Sequence, residues 1–98
     1  MRRNEVISLL KEHERDIRAF GISHLHLYGS HARDEAGRDS DVDLFIDRDP
    51  NKKFGLFELV RLQRLLQDIL KVEVDVGTRP SLHPRLKADI ERGAVQVF

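Results

Sequence analysis

The chain has 98 residues, with 17 Lys plus Arg against 17 Asp plus Glu and a formal net charge of zero. Balanced charge argues against a generic electrostatic affinity for nucleic acid or for an anionic membrane. The absence of cysteine excludes a disulfide framework and a thiolate metal site. No apolar run approaches the roughly 20 residues that a membrane span needs, and the first residues lack the long apolar region of a signal peptide. A cytoplasmic location is therefore expected. The length predicts a single domain, residues 1–98. Charged residues make up 35% of the chain, above the typical ~25%, so much of the surface carries both signs. Near-zero net charge favours association and leaves homo- or hetero-oligomers open.

Residues 4–20 have the period of an amphipathic helix. Val6, Leu9, Leu10, His13, Ile17 and Phe20 fall near one face. Asn4 is placed to cap its start and Gly21 to end it. Residues 24–28 alternate as a strand does, with Leu25 and Leu27 facing the core. Gly29 and Ser30 break that strand, and residues 30–36 suit a short helical segment. A second strand is expected over 41–47, followed by a turn at Asp49, Pro50 and Asn51. Residues 54–70 read as a long helix, 71–76 as a third strand, and 77–84 as a loop. Pro84 fits the first turn of a helix reaching about Arg92, and residues 94–98 suit a short last strand. This order predicts an α/β (α+β) domain with a small β-sheet covered by helices.

The chemistry concentrates between residues 29 and 43. Asp41 and Asp43 alternate onto one strand face, and two rises of ~3.3 Å set their Cα atoms roughly 6.5–7 Å apart. Two carboxylates at that spacing suit one hard cation or a pair of them. If the third strand lies alongside, about 4.8 Å away, Asp75 joins them. Three acids on one face repel unless a cation or a proton intervenes. A solvated edge strand with alternating acids fits the same letters. Gly29 and Ser30 follow a strand, so backbone N–H groups and the Ser30 hydroxyl are placed to meet phosphate oxygens. Arg33, three residues on, would add fixed positive charge to a triphosphate. Ser40 precedes the acids and suits a capping role. His24 and His26 share a strand face, a metal pair or simply a half-exposed edge. His31 is placed to touch a phosphate or to sit exposed in the loop. Phe54 and Phe57 exceed what a small core readily buries.

Gly-Ser-x-Ala-Arg at 29–33 and Ser-Asp-x-Asp-Leu at 40–44, with the later acid Asp75, resemble the signature of the DNA polymerase β-like nucleotidyltransferase superfamily. The resemblance is greatest to its minimal nucleotidyltransferases and extends over most of the chain. It implies the polymerase β-like fold, a small mixed sheet flanked by helices. It implies Mg²⁺ held by Asp41, Asp43 and Asp75, with Asp75 a metal ligand or the base that activates the attacking hydroxyl. Gly29 and Ser30 would hold the nucleotide phosphates, with Arg33 and Ser40 completing the nucleotide-binding set. ATP would be the substrate. A HEPN-class RNase toxin would be the partner, a tyrosine of it receiving AMP, so that the chain is an antitoxin. A non-catalytic antitoxin that acts by binding alone is the alternative. An antibiotic-modifying enzyme would need added substrate-binding elements that 98 residues do not provide. One departure is visible. Many relatives carry Gly where this chain has Asp34, and an acid there would oppose a triphosphate if it pointed inward.

Overall fold

The computed structural model describes residues 1–37 and 40–98. Strands β1 (Ile22–Tyr28), β2 (Val42–Arg48), β3 (Val74–Thr78) and β4 (Val95–Gln96) form one sheet in the order β3-β2-β1-β4. β1 runs antiparallel to β2 and to β4, while β2 and β3 are parallel. A parallel neighbour requires a crossover, and helix α3 (Leu56–Leu70) supplies it. The expected small mixed sheet with helices is what the chain forms.

Alternation divides the sheet into two unlike faces. Leu25 and Leu27 of β1, Val42, Leu44 and Ile46 of β2, and Val74 of β3 are all buried. They form one core with Val6 and Leu10 of helix α1 (Arg3–Glu12), Ile17 of helix α2 (Glu14–Arg18), and Leu62, Leu66 and Leu70 of α3. The other face takes the remaining positions. His26 pairs with Phe45, Tyr28 with Asp43, and Asp43 with Asp75. The polar letters of the strands therefore gather on the side that α1, α2 and α3 leave uncovered.

The helix expected over 4–20 is two helices. His13 sits between them at φ −109° and ψ 17°, outside the helical region. Its Nδ1 lies 2.9 Å from the Leu9 carbonyl, a local bond that competes with propagation. Asn4 is not the cap, because the helix begins one residue earlier. Gly21 does end the segment, at φ +97°, where a side chain would be strained. The third strand starts later than expected, at Val74, because Lys71 takes φ +60° and turns the chain after α3. Gly77 consequently lies in β3. The last helix, α4 (Lys87–Gly93), also begins later, after a turn in which Leu86 and Lys87 both donate to the His83 carbonyl. Phe54 packs against the core, whereas Leu56 and Phe57 stand in solvent.

One side chain ties α4 to the sheet. Arg79 follows β3 in a 3-10 turn, Arg79–Ser81. Its guanidinium donates to both Asp47 oxygens, at 2.7 and 2.9 Å, and to Glu91 of α4 at 2.5 Å. It also covers the Phe45 ring at 4.8 Å, while His26 stacks on that ring at 4.5 Å. Phe45 is thereby buried on the face that carries the charges. His26 in turn reaches Asp47 at 2.8 Å, so it is neither an exposed edge residue nor part of a His24 metal pair. The Arg79 guanidinium, with His26 adding to it, holds the Asp47 carboxyl down to about 2. A carboxyl depressed on folding stabilises the fold above its ordinary value of 3.8, and that contribution is lost as pH falls through about 2. Asp47→Asn is expected to lower the thermal midpoint at neutral pH and to flatten the acid-induced loss of stability. A pH series of melts on both proteins measures it.

Candidate active site

Residues 29–34 leave β1 as consecutive turns instead of the short helix expected. Arg33 donates to the Gly29 carbonyl as a helix would, at 3.2 Å. The next bond, Glu35 to the Ser30 carbonyl at 2.8 Å, is already wider. Asp34 at φ +58° then stops propagation. Gly29 has φ +75°, and a Cβ built there would meet Asp43 Oδ2 at 2.4 Å. Glycine is required twice over, by backbone conformation and by the carboxylate pressed against it.

Asp43 projects from β2 beneath this turn, half-buried, with Asp75 beside it in parallel register. Neighbouring strands at about 4.8 Å make these two residues near neighbours across the ladder. Asp41 lies just before β2 and is exposed. Burial, then the Asp75 and Asp41 charges, push the Asp43 carboxyl up, against a smaller pull from His31 and Arg33. Burial and the same pair, Asp43 and Asp75, raise the Tyr28 phenol, which therefore stays protonated at neutral pH. The acids thus act on one another as the sequence predicts.

Among the described residues no three His, Cys, Asp or Glu side chains close into a metal cage. Mg²⁺ is usually held by only one or two protein carboxylates, with substrate phosphates and water completing its shell. The donor set here fits that ion. A carboxylate whose charge is disfavoured by its neighbours is one that a cation would restore.

The remaining predicted residues fall around the turn. Ser30 is half-buried within it. Arg33 is exposed and paired with Glu35 at 2.9 Å, yet its charge acts on Asp43. Ser40 closes the far side of the loop. It accepts from the Gly37 N–H at 2.9 Å and donates back to the Gly37 carbonyl at 3.3 Å. His31 is neither exposed nor turned outward. It is 2% accessible, and its Nδ1 has no hydrogen-bond partner among the described residues. Burial, then the N-terminal ammonium, lower its pKa, so the neutral ring is favoured there.

Asp34 turns toward the N-terminal residues of α1. One oxygen accepts the Arg3 backbone N–H at 3.0 Å, and the other accepts Arg2 NH2 at 2.9 Å. Arg3 NH1 also reaches the Ala32 carbonyl at 3.3 Å. The first turn of α1 is therefore capped by a residue of the 29–34 turn, and the turn is held by the helix. The positive φ is one that glycine adopts without strain, and the two bonds hold an acid there instead. The Arg3 N–H, followed by the Arg2 charge, holds the Asp34 carboxyl below its ordinary value. Sequence reading missed this clasp and the Arg79 network. Their partners lie 31 and 32 residues apart, beyond any local spacing rule.

A mixed sheet with its helices on one face and its acids under a glycine turn on the other defines a class. Residues 7–97 match the model of the nucleotidyltransferase domain family. The protein adenylyltransferase MntA of Thermococcus cleftensis is 31% identical over 94 residues, covering 95% of this chain and 93% of that protein. A solved structure of a candidate minimal nucleotidyltransferase superposes with a TM-score of 0.81 at 28% identity, covering 97% of this chain and 95% of the other. A structure of the tri-AMPylated HEPN toxin of Shewanella oneidensis in complex with its MNT antitoxin shares the fold. Its TM-score is 0.62 at 20% identity, over 98% of this chain and 68% of that one. The chain belongs to the nucleotidyltransferase domain family, and its activity is nucleotidyl transfer.

Two substitutions test the turn. Gly29→Ala forces both a positive φ on alanine and a clash with Asp43, so it should destabilise the fold by roughly 1–3 kcal/mol, read by denaturant unfolding. Asp34→Gly should leave Mg-ATP affinity no better in calorimetry, because the acid it removes does not face the phosphates. It should lower the melting temperature, because α1 loses its cap.

Proposed function

We propose that this chain transfers AMP from ATP to a hydroxyl of a partner protein, a tyrosine of a HEPN-class RNase toxin, and so acts as its antitoxin. The observation that carries this reading is the pairing of Asp75 with Asp43, which lies directly under the Gly29 turn. The kind of partner is supported by likeness to the MntA adenylyltransferase and by the fold shared with a toxin-bound antitoxin.

In this reading the 29–34 turn receives the phosphates. Gly29 lets the backbone approach, Ser30 donates its hydroxyl, and Arg33 offsets negative charge at the exposed end. Ser40 keeps the loop closed beside the acids. Asp41, Asp43 and Asp75 would hold Mg²⁺, which supplies neutralisation of the charge that develops on the phosphoryl oxygens. The acceptor phenol forms a bond to the α-phosphorus, the bond from that phosphorus to the bridging oxygen breaks, and pyrophosphate leaves. Asp75, exposed at the open side of the pair, would take the phenol proton if it is the base and not a metal ligand. Asp43, half-buried under the turn, is placed to stay with the phosphates. The cytoplasm, where such a partner would be made, is the compartment this reading needs.

Asp43→Asn should abolish label transfer from ATP to the partner. Without metal it should raise thermal stability, because a carboxylate raised on folding destabilises the fold once pH exceeds its ordinary value. Normal transfer by the folded variant would sink the assignment. Asp75→Asn should spare Mg-ATP binding and slow transfer by about 10²–10⁴-fold if the residue is the base. Binding and transfer falling together would make it a metal ligand instead. Tight complex formation with the toxin, without label on it, would favour neutralisation by binding alone.

A further inference from the structure

Three of the four exposed large apolar side chains among the described residues, Leu56, Phe57 and Val60, crowd the start of α3. Phe57 is 81% exposed and Leu56 75%, an apolar surface that is unfavourable in water. Beside them opens a cavity of about 630 Å³, between the last residues of β2, the 3-10 turn after β3 and the first turn of α3. Ile46, Phe54, Leu56, Leu59 and Pro80 give it mostly apolar walls. Val60, one turn after Leu56, and Phe57, next to it, carry the apolar strip from the cavity mouth around the helix. A hole and a projecting aromatic ring thus adjoin on one surface. That surface lies at the opposite end of β2 from Asp43 and shares no residue with the 29–34 turn or the three acids.

The charges free to meet a partner there have one sign. Arg48 borders the cavity, Lys53 precedes Phe54, and Arg61 stands one turn after Phe57; all three are exposed. The carboxylates nearby are engaged within the chain. Asp47 is held by Arg79 and His26, Asp49 accepts the Asn51 N–H at 2.9 Å, and Glu58 accepts the Gly55 N–H at 3.2 Å. We propose that this surface docks an amphipathic segment of a partner protein. The segment puts a bulky apolar side chain into the cavity, lays further apolar residues on Phe57 and Val60, and presents carboxylates to Arg48, Lys53 and Arg61. Apolar anchors seated in pockets carry most of the affinity of such interfaces, and complementary rim charge selects the partner. The other occupants fit less well. A small molecule filling the cavity would leave Phe57 and Val60 in water. A second copy related by a two-fold axis would bring the same cations against their own counterparts, and like charges so placed repel. An anionic membrane would satisfy the cations, but its surface projects no side chain for a cavity to receive.

Two helical peptides of the same apolar pattern test this, one with glutamates flanking a central phenylalanine and one with lysines in the same places. The glutamate peptide should bind saturably in calorimetry, and the lysine peptide should not. Phe57→Ala should weaken the glutamate peptide about thirtyfold, the loss expected of a hot-spot aromatic. It should leave the melting temperature as it was, because the side chain it shortens is exposed. Reversing two rim charges together, Arg48→Glu with Arg61→Glu, should exchange the preference, so that the lysine peptide binds and the glutamate peptide does not. None of these measurements requires ATP, so the docking surface stands or falls apart from the transfer reading. Equal binding of both peptides, or of neither, overturns the proposal, as does a glutamate-peptide affinity that Phe57→Ala leaves unchanged. A dimer in sedimentation that Phe57→Ala abolishes would assign the surface to a second copy instead. Binding to phosphatidylcholine–phosphatidylserine vesicles that the same variant abolishes would assign it to a membrane, and either result overturns the proposal.

Discussion

The Asp43 carboxylate packs so close to Gly29 that no side chain would fit between them. With a Cβ at Gly29 only 2.4 Å from Asp43 Oδ2, β1 and β2 can end together in this way only if the first residue after β1 has no side chain. Everything else at the site follows from that approach. It sets the turn directly over the acid. It half-buries a carboxylate that the parallel pairing of β2 with β3 has already placed beside Asp75. The fold therefore holds like charges together and partly out of water, an arrangement that opposes stability. A core of 15 buried residues on the opposite face carries that cost.

The turn is held from the outside as well. Asp34 reaches across 31 and 32 positions of sequence to Arg3 and Arg2, and Arg3 returns to Ala32. A loop left to itself would spread over many conformations, and ordering it only when a ligand arrives would cost affinity. Here the first turn of α1 does the ordering, while Ser40 and Gly37 close the other side. The buried His31 fills the interior of the same loop. Neutral imidazole suits that place better than a cation, since burial and the nearby N-terminal charge both act against protonation.

Strand alternation and the two motifs were legible from the letters alone. Leu25, Leu27, Val42, Leu44 and Ile46 fall on the buried face as their period requires, and Asp43 on the other. The break at His13 was not legible, because the apolar stripe runs through it while a local side-chain bond interrupts the backbone. The start of β3 was missed for a related reason. Lys-Val-Glu-Val-Asp-Val alternates from its first residue, but Lys71 adopts a left-handed turn that no residue type announced. Asp34 was legible as a departure from relatives and not as a cap, since its partners come from the opposite end of the motif map. The placement of Phe45 was obscure too. It is an apolar residue on a charged face, buried only because Arg79 and His26 close over it.

The division of the sheet into a covered and an uncovered face also bears on how the chain meets its acceptor. α1, α2 and α3 pack on the core side, with the start of α1 also holding the 29–34 turn, and α4 is tied to the other face by one arginine. Asp75 is exposed, and Asp41 is exposed at the strand's edge. A second substrate that completed the site from within this chain would need an element over these acids, and none of the described elements lies there. The face that carries the acids is thus left open by the described elements. The turn and the acids share that open face, while the packing that holds them in place comes from the covered one.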